Sequence, residues 1–120
     1  MTPEILWNRY AAIWSADEEK RKLELDSCLA NNATYCDPNG LIKGRSALSD
    51  YMGNFQKNAR GCMFQIRSVI AHHDRSLAHW TMNDEDRQIV QNGSSFGQLS
   101  DDGRLLNISG FFYPAQEDES

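Results

Sequence analysis

The sequence of 120 residues has little to offer metal or disulfide chemistry. Its three cysteines, Cys28, Cys36 and Cys62, are odd in number, widely spaced and contain no CxxC pair. That excludes a disulfide framework and a zinc ribbon, and reads as reduced, mostly buried thiols of a cytoplasmic protein. There is no glycine-rich phosphate loop, no dinucleotide fingerprint and no His/Cys ligand set, so neither a metal nor an organic cofactor is expected. Positive charge is also scarce: Lys and Arg number 12 against 17 Asp and Glu, a formal net charge of −5. The densest basic run, Lys20-Arg21-Lys22, is bracketed by Asp17-Glu18-Glu19 and by Glu24 and Asp26. On a helix this is a solvated, salt-bridged face rather than a phosphate track, which argues against a nucleic-acid partner. Apolar runs are only a few residues long, too short for a membrane span. Met1-Thr2-Pro3-Glu4 has neither the basic nor the apolar region of a secretory signal, in keeping with a cytoplasmic location.

What is present suffices for a core. Apolar residues make up 40% of the chain and aromatics 10%. The length is near the modal size of one domain, so residues 1–120 are expected to form one, ordered over about 3–114. The first half has helical periodicity. Thr2-Pro3 reads as an N-cap and first helical residue, and Leu6, Trp7, Tyr10, Ile13 and Trp14 follow at helical spacing. Asp17 or Ser15 can cap a second helix, with Leu23, Leu25, Cys28 and Leu29 on its apolar side and Asn31-Asn32 at its end. Ala33 to Cys36 is a short strand. Asp37-Pro38-Asn39-Gly40 is a turn, and Leu41 to Lys43 returns. Leu48, Tyr51, Met52 and Phe55 form one face of a third helix opened by Gly44 and Ser46 and stopped near Gly61.

The second half changes to strand spacing. Phe64, Ile66, Ser68 and Ile70 alternate with Gln65, Arg67 and Val69; His72-His73-Asp74-Arg75 is a turn, and Leu77 to Asn83 runs back. Ile89 to Leu99 is a long strand in which Gly93 and Gly97 suggest bulges or bends. Ser100 to Gly103 is a hairpin turn, and Arg104 to Phe112 the last strand. Residues 116–120 read as a frayed acidic tail. Helices first and a meander of strands after predicts an α+β fold, with helices on one face of a curved antiparallel sheet. If Asp74-Arg75 is a two-residue turn, Ile70 pairs with His79, Ser68 with Thr81 and Ile66 with Asn83. His79 then faces the pocket, and Val69, Trp80 and Met82 share the outer, convex face. That apolar patch predicts a homodimer through the convex sheet face.

These elements, in this order, resemble the nuclear transport factor two-like superfamily. The residues that carry the resemblance are the aromatic first helix, Tyr35-Cys36-Asp37-Pro38, Gly44-Arg45-Ser46-Ala47-Leu48, His72-His73, Trp80, and Asp102-Gly103-Arg104 leading to Ile108-Ser109-Gly110-Phe111-Phe112. The flavour is that of the SnoaL-like group, small proteins related to polyketide cyclases and ketosteroid isomerases, and the likeness runs from Ile5 to Tyr113. It implies a cone in which three N-terminal helices pack on a strongly curved mixed β-sheet, with a small-molecule pocket in its mouth and a homodimer through the outer face. It also implies residue roles. Asp37 falls where ketosteroid isomerases hold the general base, and Tyr10 where they hold the oxyanion tyrosine. Ser95 falls where they hold a protonated aspartic acid, an oxyanion donor that this chain lacks.

The expected activity is a cofactor-free isomerisation, cyclisation or dehydration by proton transfer on a small apolar molecule with a carbonyl or ring. The alternative is a non-catalytic ligand-binding or dimeric interaction module of the same fold. Asp37, Tyr10 and His79 are the catalytic candidates: a base, a hydrogen-bond donor and a polar auxiliary. Asp37 can equally be read as the first residue of its turn, and Tyr10 as a core aromatic. Trp7, Trp14, Phe55, Ser95, Ile108 and Phe112 are the candidate ligand-binding residues, with core and pocket roles not separable by spacing.

Overall fold

A computed structural model describes residues 1–114; the acidic residues 116–120 lie outside the described part. The first helix, α1, runs Pro3–Ile13 behind Thr2, whose hydroxyl accepts a hydrogen bond from the backbone N–H of Ile5. The second, α2, runs Glu18–Cys28, and Asp17 caps it by accepting from Lys20 N–H. Such caps satisfy donors that the first helical turn leaves free. Arg21 on α2 is buried against α3, donating to Ser49 Oγ and to the carbonyl of Ala16. The third helix, α3, spans Arg45–Asn58 and begins at Gly44, whose φ of 90° suits glycine.

Six strands follow and interleave: β1 Leu29–Asp37, β2 Gly40–Lys43, β3 Met63–His72, β4 Arg75–Asn83, β5 Ile89–Leu99 and β6 Leu105–Phe112. The chain enters β1 directly from α2, so Asn31-Asn32, expected to end a helix, lies instead within an extended strand. The sheet order is β2-β1-β6-β5-β4-β3. The β1–β6 pair is parallel and the other neighbours are antiparallel, so the sheet is mixed. It curls without closing, and the three helices cover its inner face. This is the α+β cone. Leu6, Trp7, Ile13, Leu25, Leu29, Leu48, Met52, Leu105 and Ile108 are almost wholly buried between helices and sheet. Of the cysteines, Cys28 is buried, Cys62 half-buried and Cys36 exposed, and all are free thiols.

The β3–β4 hairpin departs from the expected register, and the correction turns a face inside out. Its two-residue turn is His73-Asp74, one residue earlier than expected, because His73 takes the left-handed conformation at φ 52°. Ile70 therefore pairs with Leu77 and Ser68 with His79. A bulge between Ile66 and Ser68 then shifts the register again, so that Ile66 pairs with Trp80 and Phe64 with Met82. The turn shift moves the pairing by two residues, which keeps Val69, Ala78, Trp80 and Met82 on one face, and the bulge brings Phe64 and Ile66 to that same face. That face, expected to be the convex one, is the one the helices cover: Phe64, Ile66, Val69, Ala78, Trp80 and Met82 lie inward, while Ile70, 67% exposed, and His79 lie outward. The expected convex patch of Val69, Trp80 and Met82 is thus wrong in placement: Val69 packs on the core, and Trp80 and Met82 line the interior cavity.

Gly93 and Gly97 also serve differently from expectation. The β4–β5 register is continuous at both and shifts only at Met82/Asn83. A Cβ on Gly93 would lie 2.2 Å from Cζ2 of Trp80, and one on Gly97 2.5 Å from Cζ2 of Trp7. The glycines leave room for indole rings lying flat over the strand.

Candidate functional site

Strand parity and the helix α1 stripe together open a cavity of about 510 Å³ inside the cone. Trp7, Tyr10 and Trp14 reach it from α1, and Tyr51, Asn54, Phe55 and Asn58 from α3. The sheet contributes Tyr35 and Asp37, Phe64 and Ile66, Trp80 and Met82, Gln91 and Ser95, and Gly110 and Phe112. Trp14 anchors the aromatic wall, with ring centroids 5.4–6.1 Å from those of Tyr35, Tyr51, Phe55 and Phe64. Most of these contacts are edge-to-face, the arrangement that ring quadrupoles favour.

Asp37 is the one ionisable carboxyl in this lining among the described residues. It ends β1 and starts the Asp37–Gly40 turn, and Oδ1 accepts from the backbone N–H groups of Asn39 at 2.8 Å and Gly40 at 3.1 Å. The turn-starting role and the pocket role therefore coincide in one side chain. Tyr35 donates to Oδ2 at 2.7 Å, and Tyr51 donates to both oxygens at 2.8 and 2.9 Å. Burial, followed for Tyr35 by the negative neighbours and the bond to Asp37, pushes the phenols of Tyr35 and Tyr51 well above the ordinary range. Both tyrosines thus stay protonated as donors to the carboxylate.

Tyr10 lies deep in the same cavity. Its hydroxyl is buried and has no hydrogen-bond partner among the described residues. Burial pushes this phenol well above the usual value too. A buried, unpaired hydroxyl is costly unless something completes it. Ser95 Oγ accepts from Trp80 Nε1 at 3.0 Å and finds no acceptor for its own proton among the described residues.

Of the sequence candidates, Asp37, Tyr10, Trp7, Trp14, Phe55, Ser95 and Phe112 all face the cavity. Two do not. Ile108 is buried in the core between sheet and helices. His79 sits on the outer face, half-buried, with its ring stacked on Tyr113 at 5.8 Å and 23°. It alternates along β4 with Ala78 and Trp80, which face inward, and so points to the opposite side of the sheet. The sequence reading missed Tyr35 and Tyr51. Tyr35 stands two residues before Asp37 on the same strand, which places both side chains on one face. Tyr51 belongs to the apolar stripe of α3 but carries a polar tip, a combination that points to a partner inside.

The sequence profile of the SnoaL-like domain matches residues 7–108. This chain belongs to the SnoaL-like family. No curated protein matches it by sequence. Among solved structures, a candidate isomerase of the SnoaL-like family from Agrobacterium tumefaciens str. C58 superposes with a TM-score of 0.86 at 22% identity, covering 92% of this chain and 96% of that one. A candidate ketosteroid isomerase from Kribbella flavida DSM 17836 gives 0.72 at 17% identity, covering 97% and 81%. A nuclear transport factor two-like protein of unknown function from Exiguobacterium sp. 255-15 gives 0.74 at 15% identity, covering 92% and 99%. At these identities the likeness is one of fold. No helix among the described residues of this SnoaL-like chain is long and apolar enough to cross a membrane.

Proposed function

We propose that this SnoaL-like protein binds a small apolar molecule in the cone and moves a proton on it without a cofactor. The observation that carries the reading is that Asp37 and Tyr10, whose buried hydroxyl has no partner among the described residues, both line one largely aromatic cavity. In the reaction, Asp37 takes a proton from a carbon next to a carbonyl. The electrons move onto the carbonyl oxygen, where Tyr10 donates a hydrogen bond. The proton returns to a different carbon, giving an isomer. Tyr35 and Tyr51 act as positioning residues that hold the carboxylate. Ser95, with a free hydroxyl proton, is a second donor in place of the carboxylic acid that related enzymes use, a weaker arrangement for oxyanion stabilisation. His79 has no part in this reading.

The second reading, a non-catalytic ligand binder, is favoured by one specific feature: Asp37 is already engaged by four donor groups. The test is a panel of β,γ-unsaturated cyclic ketones, followed by the absorbance of the conjugated product and by thermal shift. Acceleration that falls about 10²-fold or more in Asp37→Asn, and less in Tyr10→Phe, supports catalysis. Stabilisation by these ketones with no acceleration above buffer assigns the protein to the binding class.

For assembly we infer a homodimer through the outer sheet face, with a patch different from the one expected from sequence. Ile70, Leu77 and Phe111, on β3, β4 and β6, are 67%, 40% and 59% exposed, and strand pairing puts them on the same side of the sheet. An exposed apolar group of this kind supports burial against a second copy.

A further inference from the structure

Among the described residues, the cavity has one formal charge in its lining, and it is negative. Nineteen residues line it, and among them Asp37 is accompanied by no Lys, Arg or His. Nor does Asp37 form an ion pair with any described residue: its partners are two phenol hydroxyls and two backbone N–H groups. Neutral donors spread the charge of a carboxylate without cancelling it. Nine of the nineteen lining residues are aromatic, and the faces of aromatic rings carry the negative end of the ring quadrupole. The remaining polar lining is neutral. The oxygen of Tyr10 is free to accept, and the side-chain amides of Asn54, Asn58 and Gln91 offer carbonyl oxygens as well as N–H groups.

A cavity built this way has one electrostatic preference. A cation gains from the uncompensated carboxylate and from each ring face it meets; an anion is opposed by the carboxylate, with no basic side chain among the described lining residues to offset the cost. Water exclusion by the indole and phenyl walls strengthens that difference, because the charges interact through a poorly screening medium. We propose that the cavity selects apolar ligands carrying a positively charged amine or ammonium group over neutral or anionic ligands of the same shape. This rests on the functional reading above in one respect, that the cavity is where the ligand sits.

The test uses three benzyl compounds with a tetrahedral head of similar size: benzyltrimethylammonium, its uncharged carbon isostere neopentylbenzene, and phenylmethanesulfonate. All three tryptophans of the chain, Trp7, Trp14 and Trp80, line the cavity, so intrinsic fluorescence reports occupancy of the unmodified protein. The ammonium compound is expected to bind about tenfold or more tightly than the neutral isostere, and the sulfonate most weakly. In Asp37→Asn, the ratio of cation to neutral affinity should fall severalfold. The wild-type ranking decides the matter even if that variant does not fold. Equal or tighter binding of neopentylbenzene overturns the charge preference and leaves the cavity as a ligand site. Tightest binding of the sulfonate also overturns it. Failure of all three to bind overturns both the preference and the assignment of the cavity as the ligand site.

Discussion

The Tyr51 hydroxyl bridges the two carboxylate oxygens of Asp37, 2.8 Å from Oδ1 and 2.9 Å from Oδ2. This bond ties the middle of α3 to the turn that joins β1 and β2. It fixes the carboxylate from one side while Tyr35 and the turn's own N–H groups hold it from the others. The orientation of the one acidic group in the cavity is thereby set by the packing of a helix on a hairpin.

Tyr51→Phe removes that bridge and keeps the ring against Trp14, whose centroid lies 6.1 Å away. Hydrogen bonds to charged groups contribute about 1.5–3 kcal/mol, and partial exposure of this one places the expected loss of stability toward the lower end. Urea denaturation measures it. A loss indistinguishable from zero would mean that the carboxylate does not depend on α3 for its position. Ligand affinity should fall as well, because Asp37 gains rotational freedom.

Alkaline pH should destabilise the fold through its tyrosines. Tyr10, Tyr35 and Tyr51 all have folded-state values raised by burial, with the carboxylate of Asp37 adding to the shift. Below about pH 10, the ordinary tyrosine value, folded and unfolded chains alike hold these protons and stability is undiminished. Above it the unfolded chain releases protons that the folded chain retains, so stability falls as pH rises. Tyrosinate absorbance should show these three phenols ionising only together with unfolding. Reversible ionisation of all four tyrosines near pH 10 in a folded protein would contradict the burial described here.

The outer face can be tested by charge. Leu77→Glu with Phe111→Glu places two carboxylates in the exposed patch and touches nothing in the cavity. Light scattering at micromolar concentration should give the mass of two chains for the wild type and of one for the double variant. A wild-type mass of one chain removes the homodimer, and a dimer that survives both substitutions moves the interface elsewhere. Trp80→Glu would not be informative about assembly, since Trp80 lies inside against Gly93, Phe64 and Phe112.

The elements themselves were legible because their signals are local. Thr2-Pro3 and Asp17 cap helices by contacts within one turn, and Asp37-Pro38-Asn39-Gly40 closes a hairpin with its own side chain and backbone. The order of helices and strands, and with it the α+β class, follows from such signals and from the change of hydrophobic period midway along the chain, and the cone was implied by the family resemblance. Asp37 and Tyr10 were reachable through the family resemblance.

The facing of the sheet was decided only by tertiary structure. The face of β4 that carries Ala78, Trp80 and Met82 packs under the helices while His79 points outward, and one extra residue near Arg67 brings Phe64 and Ile66 to that inner face. Neither event has a strong local signature, because any run of alternating side chains reads the same with its faces exchanged. What selected the true register was packing across the chain: room over Gly93 for the Trp80 ring, a hydroxyl at Ser95 for its N–H, and an edge-to-face contact with Phe64. The tyrosine clamp on Asp37 has the same origin, since Tyr35 and Tyr51 are 16 positions apart in sequence and meet on one carboxylate only after α3 has folded over the hairpin.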